Sequence, residues 1–232
     1  MNPTPKIERH GRFWVVRDDL LPGGTKERFL PPLLCGAREV VYAGPAWGGA
    51  AVALAYAARE AGIRATLFYA ARAELAPRQR VAQALGARLE LVRPGYLSVV
   101  RARARDYCQA TGARLLEWGI PALESAVTRM IQEMPLPAVD SVWVAAGSGT
   151  LLRGIARALP GVPVYGVQVG HALMEKERAG CRIYAHPLRF EQRTTAPTPF
   201  PSCRHYDAKA WEVANLKAGG RSPLFWNAMG DG

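Results

Sequence analysis

Two short runs in this chain bring together groups that a solvated surface loop does not need. The first is Val15-Val16-Arg17-Asp18-Asp19-Leu20-Leu21-Pro22-Gly23-Gly24-Thr25-Lys26-Glu27-Arg28. Paired glycines just ahead of Lys26 let backbone approach a ligand closely and present the amine from the start of a helix. The positive helix end and a neighbouring cation would lower the pKa of that amine, as a lysine that forms a Schiff base requires. A turn followed by an ordinary surface lysine has the same local spacing. The second run is Ala145-Ala146-Gly147-Ser148-Gly149-Thr150. Successive N–H groups at a helix N-terminus, with Ser and Thr hydroxyls beside them, make a phosphate cradle. It lacks the Lys of a P-loop and the third Gly of a dinucleotide fingerprint, and a strand-to-helix turn without a ligand has the same form. Taken together, one run supplies an amine for an aldehyde and the other a seat for a phosphate.

The hydrophobic pattern supplies elements to position both. Residues 39–44 form an apolar strand ending in Gly-Pro, and residues 48–61 an alanine-rich helix closed by Gly62. Further strands are expected at Ala65–Ala70, Leu89–Val92, Leu115–Trp118, Val139–Ala146 and Val162–Val169. Helices are expected at Pro77–Leu85, Leu97–Thr111, Pro121–Glu133 and Leu151–Leu159. Such alternation implies βαβ units, hence an α/β fold with parallel twisted sheets flanked by helices. From His171 the pattern fades. Thr194–Pro201 reads as an irregular loop, and only Asp207–Leu216 and Pro223–Trp226 look ordered afterwards. The expected organisation is a larger cofactor-anchoring part, residues 1–38 plus 139–232, and a smaller α/β part, residues 39–138.

A length of 232 residues, with 49% hydrophobic and 21% charged residues, fits one large or two small globular domains. The absence of any apolar run of about eighteen residues excludes a transmembrane helix. The polar start, Met1–Arg12, argues against a secretory signal. Cys35, Cys108, Cys181 and Cys203 lie far apart and read as reduced thiols, so a cytoplasmic protein is expected. Thirty Lys and Arg against 19 acids give a net charge of +11, which attracts polyanions. Arg72, Arg78, Arg80, Arg101, Arg103, Arg105 and Arg182 are candidate contacts to a nucleic-acid backbone, with solvated helix faces as the alternative.

The Arg-Asp-Asp-Leu-Leu…Gly-Gly-Thr-Lys-Glu-Arg run, ending at Arg28, resembles the lysine segment of the D-cysteine desulfhydrase and 1-aminocyclopropane-1-carboxylate (ACC) deaminase group. Gly147–Thr150 followed by Leu151 and Gly154 resembles the phosphate loop of the same class, the pyridoxal phosphate (PLP) enzymes of fold type II, which are tryptophan-synthase-β-like. Tyr165-Gly166-Val167 fits the strand after that loop, and Leu224–Gly230 resembles the closing strand and turn. The resemblance implies PLP as cofactor, bound covalently at Lys26 and through its phosphate at Gly147, Ser148, Gly149 and Thr150. It also implies a homodimer as the expected assembly. The chain is shorter than typical members, with the shortfall placed between Gly170 and Pro223.

Two segments depart from that pattern. Where the group has an Asn that meets the ring hydroxyl and a Ser that serves in catalysis, this chain has Gly44-Pro45-Ala46-Trp47-Gly48-Gly49. Trp47 is a candidate to stack on the pyridine ring, and Gly48 a candidate backbone contact. In the closing turn Asn227 is the candidate partner for the pyridine nitrogen. The expected reaction is a lyase- or decarboxylase-type change at the Cα of an amino acid group, by decarboxylation or elimination. The charge points to an amino-acid-modified base in nucleic acid, as in thymidine hypermodification of bacteriophage DNA in a host cytoplasm. A desulfhydrase- or ACC-deaminase-like lyase on a free amino acid, and a non-catalytic basic nucleic-acid-binding module, are the alternatives. Cys181, His186, Cys203 and His205 match no standard zinc spacing, so no metal is expected. Glu117 and Glu124 are weaker site candidates, and Tyr165, Tyr184, Tyr206 and Trp211 fit core as well as pocket.

Overall fold

A computed structural model describes residues 4–93, 96–117, 121–170, 172–178 and 180–231. In chain order the elements begin with β1 (Ile7–His10), β2 (Phe13–Arg17), one 3-10 turn (Asp18–Leu20), α1 (Lys26–Phe29), α2 (Pro31–Leu34), β3 (Glu39–Ala43) and α3 (Gly49–Glu60). They continue with β4 (Arg64–Ala70), α4 (Pro77–Ala84), β5 (Arg88–Val92), α5 (Leu97–Thr111), β6 (Arg114–Leu115) and α6 (Pro121–Gln132). The remainder are β7 (Ser141–Ala146), α7 (Thr150–Ala158), β8 (Val164–Gln168), α8 (Glu175–Arg178), β9 (Arg182–Ala185), α9 (Asp207–Lys217) and β10 (Pro223–Asn227). Two compact units result. One is Met1–Leu21 with Trp118–Gly232, and the other is Pro22–Glu117.

The smaller unit holds a wholly parallel sheet in the order β5-β4-β3-β6. Every residue of β3 is buried, as a strand covered on both faces requires. Val41, Ala43, Phe68 and Val92 pack against Val100 and Ala104 of α5. The two-residue alternation sends Val40, Tyr42, Leu67 and Tyr69 to the opposite face, where small alanines let α3 come close.

The larger unit carries a six-stranded sheet in the order β1-β2-β10-β7-β8-β9. Only the β1–β2 hairpin is antiparallel. Phe13, Val15, Trp143, Ala145, Val167 and Phe225 meet Ala210, Trp211 and Ala214 of α9 on one face. Each large apolar side chain buried there stabilises by about 1.5–3 kcal/mol. Leu152 and Ile155 of α7 are fully buried, and α7 packs beside α6 and against β7 and β8.

The βαβ alternation between residues 39 and 169 follows the sequence expectation, and the Leu97–Thr111 helix keeps its bounds. The expected strand Leu115–Trp118 is the two-residue β6; Trp118 lies outside the described residues. The region after Gly170 is more ordered than its pattern implied. α8 and β9 lie there, and β9 completes the sheet edge through parallel pairing with β8. The hairpin β1–β2 also escaped the hydrophobic pattern, because β1 is polar and only partly buried. The units divide at 21/22 and 117/118, whereas the sequence pattern drew the lines at 38/39 and 138/139. Lys26 therefore lies in the smaller unit.

Candidate active site

In the smaller unit, Lys26 is the first residue of α1, with its side chain half-buried. Its backbone is fixed by the turn before it. Gly24 sits at φ +63°, and the Gly23 N–H donates to Glu27 Oε2 at 3.0 Å. A Cβ on Gly23 would stand 3.2 Å from Cα of Ala53, so that glycine makes room for α3. Packing against α3 is a sufficient reason for glycine at this position.

The β3–α3 turn of the same unit is shaped by close packing and by backbone hydrogen bonds from Gly44 and Gly48. A Cβ on Gly44 would fall 2.1 Å from the Tyr42 hydroxyl, so the tyrosine ring fills the space a side chain would take. The Gly48 N–H donates to the Pro45 carbonyl at 3.1 Å. Trp47 is half-buried with the Arg72 guanidinium 5.9 Å from its ring centre. No side chain caps α3, whose first turn is Gly49 and alanine. Such a turn offers backbone and one indole face, at the carboxyl end of a parallel strand where α/β sheets bind ligands.

In the larger unit, the β7–α7 turn is built from polar contacts that are partly or wholly buried. Gly149 takes φ +71°, and a Cβ there would stand 2.3 Å from the Glu177 carbonyl oxygen of α8. The Gly147 N–H donates to the Tyr206 hydroxyl at 2.9 Å, and that hydroxyl donates to the Ala145 carbonyl at 3.2 Å. Burial holds the Tyr206 phenol well above its usual pKa, so it stays a neutral donor and acceptor. The Ser148 and Thr150 hydroxyls share a hydrogen bond of 3.0 Å. Behind the turn, Arg153 donates to Glu124 at 2.8 Å and to the Ser148 carbonyl at 3.1 Å. The turn thus presents the Ser148, Gly149 and Thr150 amides and two hydroxyls at the start of a nine-residue helix.

Asn227 ends β10 with its side chain fully engaged inside the protein. Its amide donates to Asp19 at 2.7 Å and to the Pro201 carbonyl at 2.8 Å, and its oxygen accepts from Ser202 at 2.8 Å. Arg17 grips the same Asp19 through two bonds of 2.8 Å. This network ties β2, β10 and the loop before α9 together.

The family model described as "Pyridoxal-phosphate dependent enzyme" matches residues 3–215. The chain belongs to that family. Among solved structures, this PLP-dependent enzyme resembles an ACC deaminase homologue with a TM-score of 0.82 and 17% identity, over 97% of this chain and 89% of that one. The processed form of a threonine deaminase from Solanum lycopersicum gives 0.74 and 14% identity, over 95% and 75% of the two chains. A maize serine racemase gives 0.78 and 12% identity, over 98% and 88%. No curated protein is a significant match by sequence. The fold is that of fold type II.

The residues present suit the family's cofactor. Three amides and two hydroxyls at a helix start are groups that would suit a phosphate, and the left-handed Gly149 keeps that turn clear of a side chain. A lysine amine such as that of Lys26 is the group that an aldehyde would need. Other candidates have structural partners. Glu124 is buried between Arg153 and Arg157, and exposed Glu117 pairs with Arg105 at 3.3 Å. Tyr165 and Tyr184 stack on Trp143 in the core, and Trp211 packs with Phe13 and Phe225. Among the candidate backbone-binding arginines, Arg78 is buried, while Arg80, Arg103 and Arg105 pair with carboxylates. His186 bonds Glu212 and His205 the Phe190 carbonyl; among the described residues no three metal-ligating side chains cluster. Among the described residues no helix is long and apolar enough to cross a membrane. Arg153 and Tyr206 are the contributors that sequence spacing missed as turn-holding residues: Tyr206 lies 59 residues from Gly147, with no local signal.

Proposed function

We propose that Lys26 binds the aldehyde of PLP covalently, that the Gly147–Thr150 turn holds its phosphate through the amides of Ser148, Gly149 and Thr150, and that the enzyme acts at the Cα of an amino acid. The observation that carries this reading is one chain holding both a lysine fixed at a helix start and a polar-braced turn with amides left to serve an anion. PLP supplies an electron sink for the charge left at Cα when one of its bonds breaks. The Lys26 amine would be the group that takes or returns a proton at Cα. The β3–α3 turn offers amides for the substrate carboxylate and Trp47 as a wall. With no hydroxyl of its own, that turn favours decarboxylation or elimination without a further nucleophile. A free amino acid is preferred over an amino acid borne on a DNA base, since four of the seven candidate arginines are buried or paired. The net charge of +11 is what supports the DNA alternative; binding that weakens steeply with salt would favour it.

The test is a visible spectrum with added PLP, recorded beside Lys26→Ala and followed by borohydride reduction and peptide mapping. The expected result is a visible band in the wild type, absent from the variant, and an adduct on the peptide containing Lys26. An unchanged band in Lys26→Ala, or no band in the wild type, overturns the assignment.

A further inference from the structure

We infer that Arg153 is a positioning residue for the cofactor phosphate: seated on Glu124, it holds the Ser148 carbonyl and so turns the Gly149 amide toward the anion. This rests on the role proposed for Gly147–Thr150. Arg153 is only 7% exposed. Its Nε donates to Glu124 Oε2 at 2.8 Å, and its Nη1 to the Ser148 carbonyl at 3.1 Å and the Glu177 carbonyl at 3.4 Å. In a trans peptide the C=O and the following N–H point in opposite directions. A guanidinium that fixes the Ser148 oxygen on the protein side therefore fixes the Gly149 N–H on the other.

Charge works in the same direction. Glu124 also forms an ion pair with Arg157 at 2.9 Å, so two guanidiniums flank one carboxylate and the cluster beneath the turn is net positive. A buried ion pair adds little stability over apolar packing of the same volume, so stability alone gives weak reason for this one. Its place beneath an anion-facing peptide supplies a reason. The same side chain also fastens α8, whose Glu177 carbonyl closes the space beside Gly149. Tyr206 meanwhile withdraws the Gly147 amide from the donor set.

A merely structural role predicts equal loss for any ligand, whereas a positioning role predicts loss only for ligands with a phosphate. Dissociation constants for PLP and for pyridoxal, which lacks the phosphate, are measured from the Lys26 band in wild type, Arg153→Met, Arg153→Lys and Glu124→Gln. The rise in melting temperature with inorganic phosphate is measured in parallel. Arg153→Met is expected to weaken PLP about tenfold or more, to leave pyridoxal unchanged and to abolish the phosphate-induced rise. Arg153→Lys, which keeps the charge but not the fork, is expected to recover part of the loss. Equal weakening of PLP and pyridoxal, or no change in either, overturns the inference. Should Arg153→Met fail to fold, Arg153→Lys and Glu124→Gln carry the same comparison. A wild type with no Lys26 band would sink the proposed function, yet the phosphate-induced rise and its loss in the variants would still decide the role of Arg153.

Discussion

The β7–α7 and β3–α3 turns leave the carboxyl ends of parallel strands in the same way but are held by opposite means. Residues 147–150 are gripped by a tyrosine hydroxyl, a guanidinium and a neighbouring backbone carbonyl. Residues 44–48 are held by the Tyr42 ring, a proline and two backbone bonds, from Gly44 to the Phe68 carbonyl and from Gly48 to the Pro45 carbonyl. A turn braced by buried directional bonds has one geometry and suits an unvarying ligand such as a phosphate. A turn held by packing tolerates change of shape and suits the part of a site that differs between substrates.

Gly149→Ala should break the braced turn with the largest effect. The left-handed φ and a Cβ 2.3 Å from a backbone oxygen leave no relaxation that keeps the turn. A loss of about 2–4 kcal/mol in urea unfolding is expected. A loss well under 1 kcal/mol would mean that the turn adapts, and the contrast between the two would collapse. Gly44→Ala is expected to cost less, about 1–3 kcal/mol, because its obstacle is a side chain. The loss should shrink in a Tyr42→Val background; strict additivity of the two changes would show that the ring does not set the turn.

The smallest effect concerns the far end of β3, where Glu39 accepts from Thr66 at 2.6 Å and from Tyr107 at 2.8 Å. Burial pushes this carboxyl up, but those two hydrogen bonds and Arg64 together bring it below its ordinary value. Since the folded pKa is the lower one, Glu39 stabilises the fold above the ordinary carboxylate pKa, and that contribution fades as pH falls below it. Glu39→Gln should flatten the acid limb of stability against pH. An unchanged limb would show that β3 draws no polar support from either end.

How far the sequence reveals this molecule depends on how local each signal is. The central strands and the Leu97–Thr111 helix announce themselves through apolar runs and closing glycines, and the Gly-Ser-Gly-Thr turn through its place between strand and helix. β9 has four residues, half of them exposed, and owes its existence to pairing with β8. Tyr206 and Arg153 act through partners 59 and 29 residues away, Gly147 and Glu124, and no pattern within a window carries such contacts. Gly23 signals a close approach, but only the packed structure shows that Ala53 is what approaches.

The position of β10 has a consequence for how the protein is made. Residues 223–227 slot between β2 and β7, so strands far apart in the sequence become neighbours in mid-sheet. On the ribosome, the smaller sheet can close once residue 115 has emerged, since all its strands lie between 39 and 115. The larger sheet stays split into two open edges, with β2 and β7 each lacking a neighbour, until residues 223–227 have followed. Those edges are the surfaces that a nascent chain must shield from pairing with other molecules.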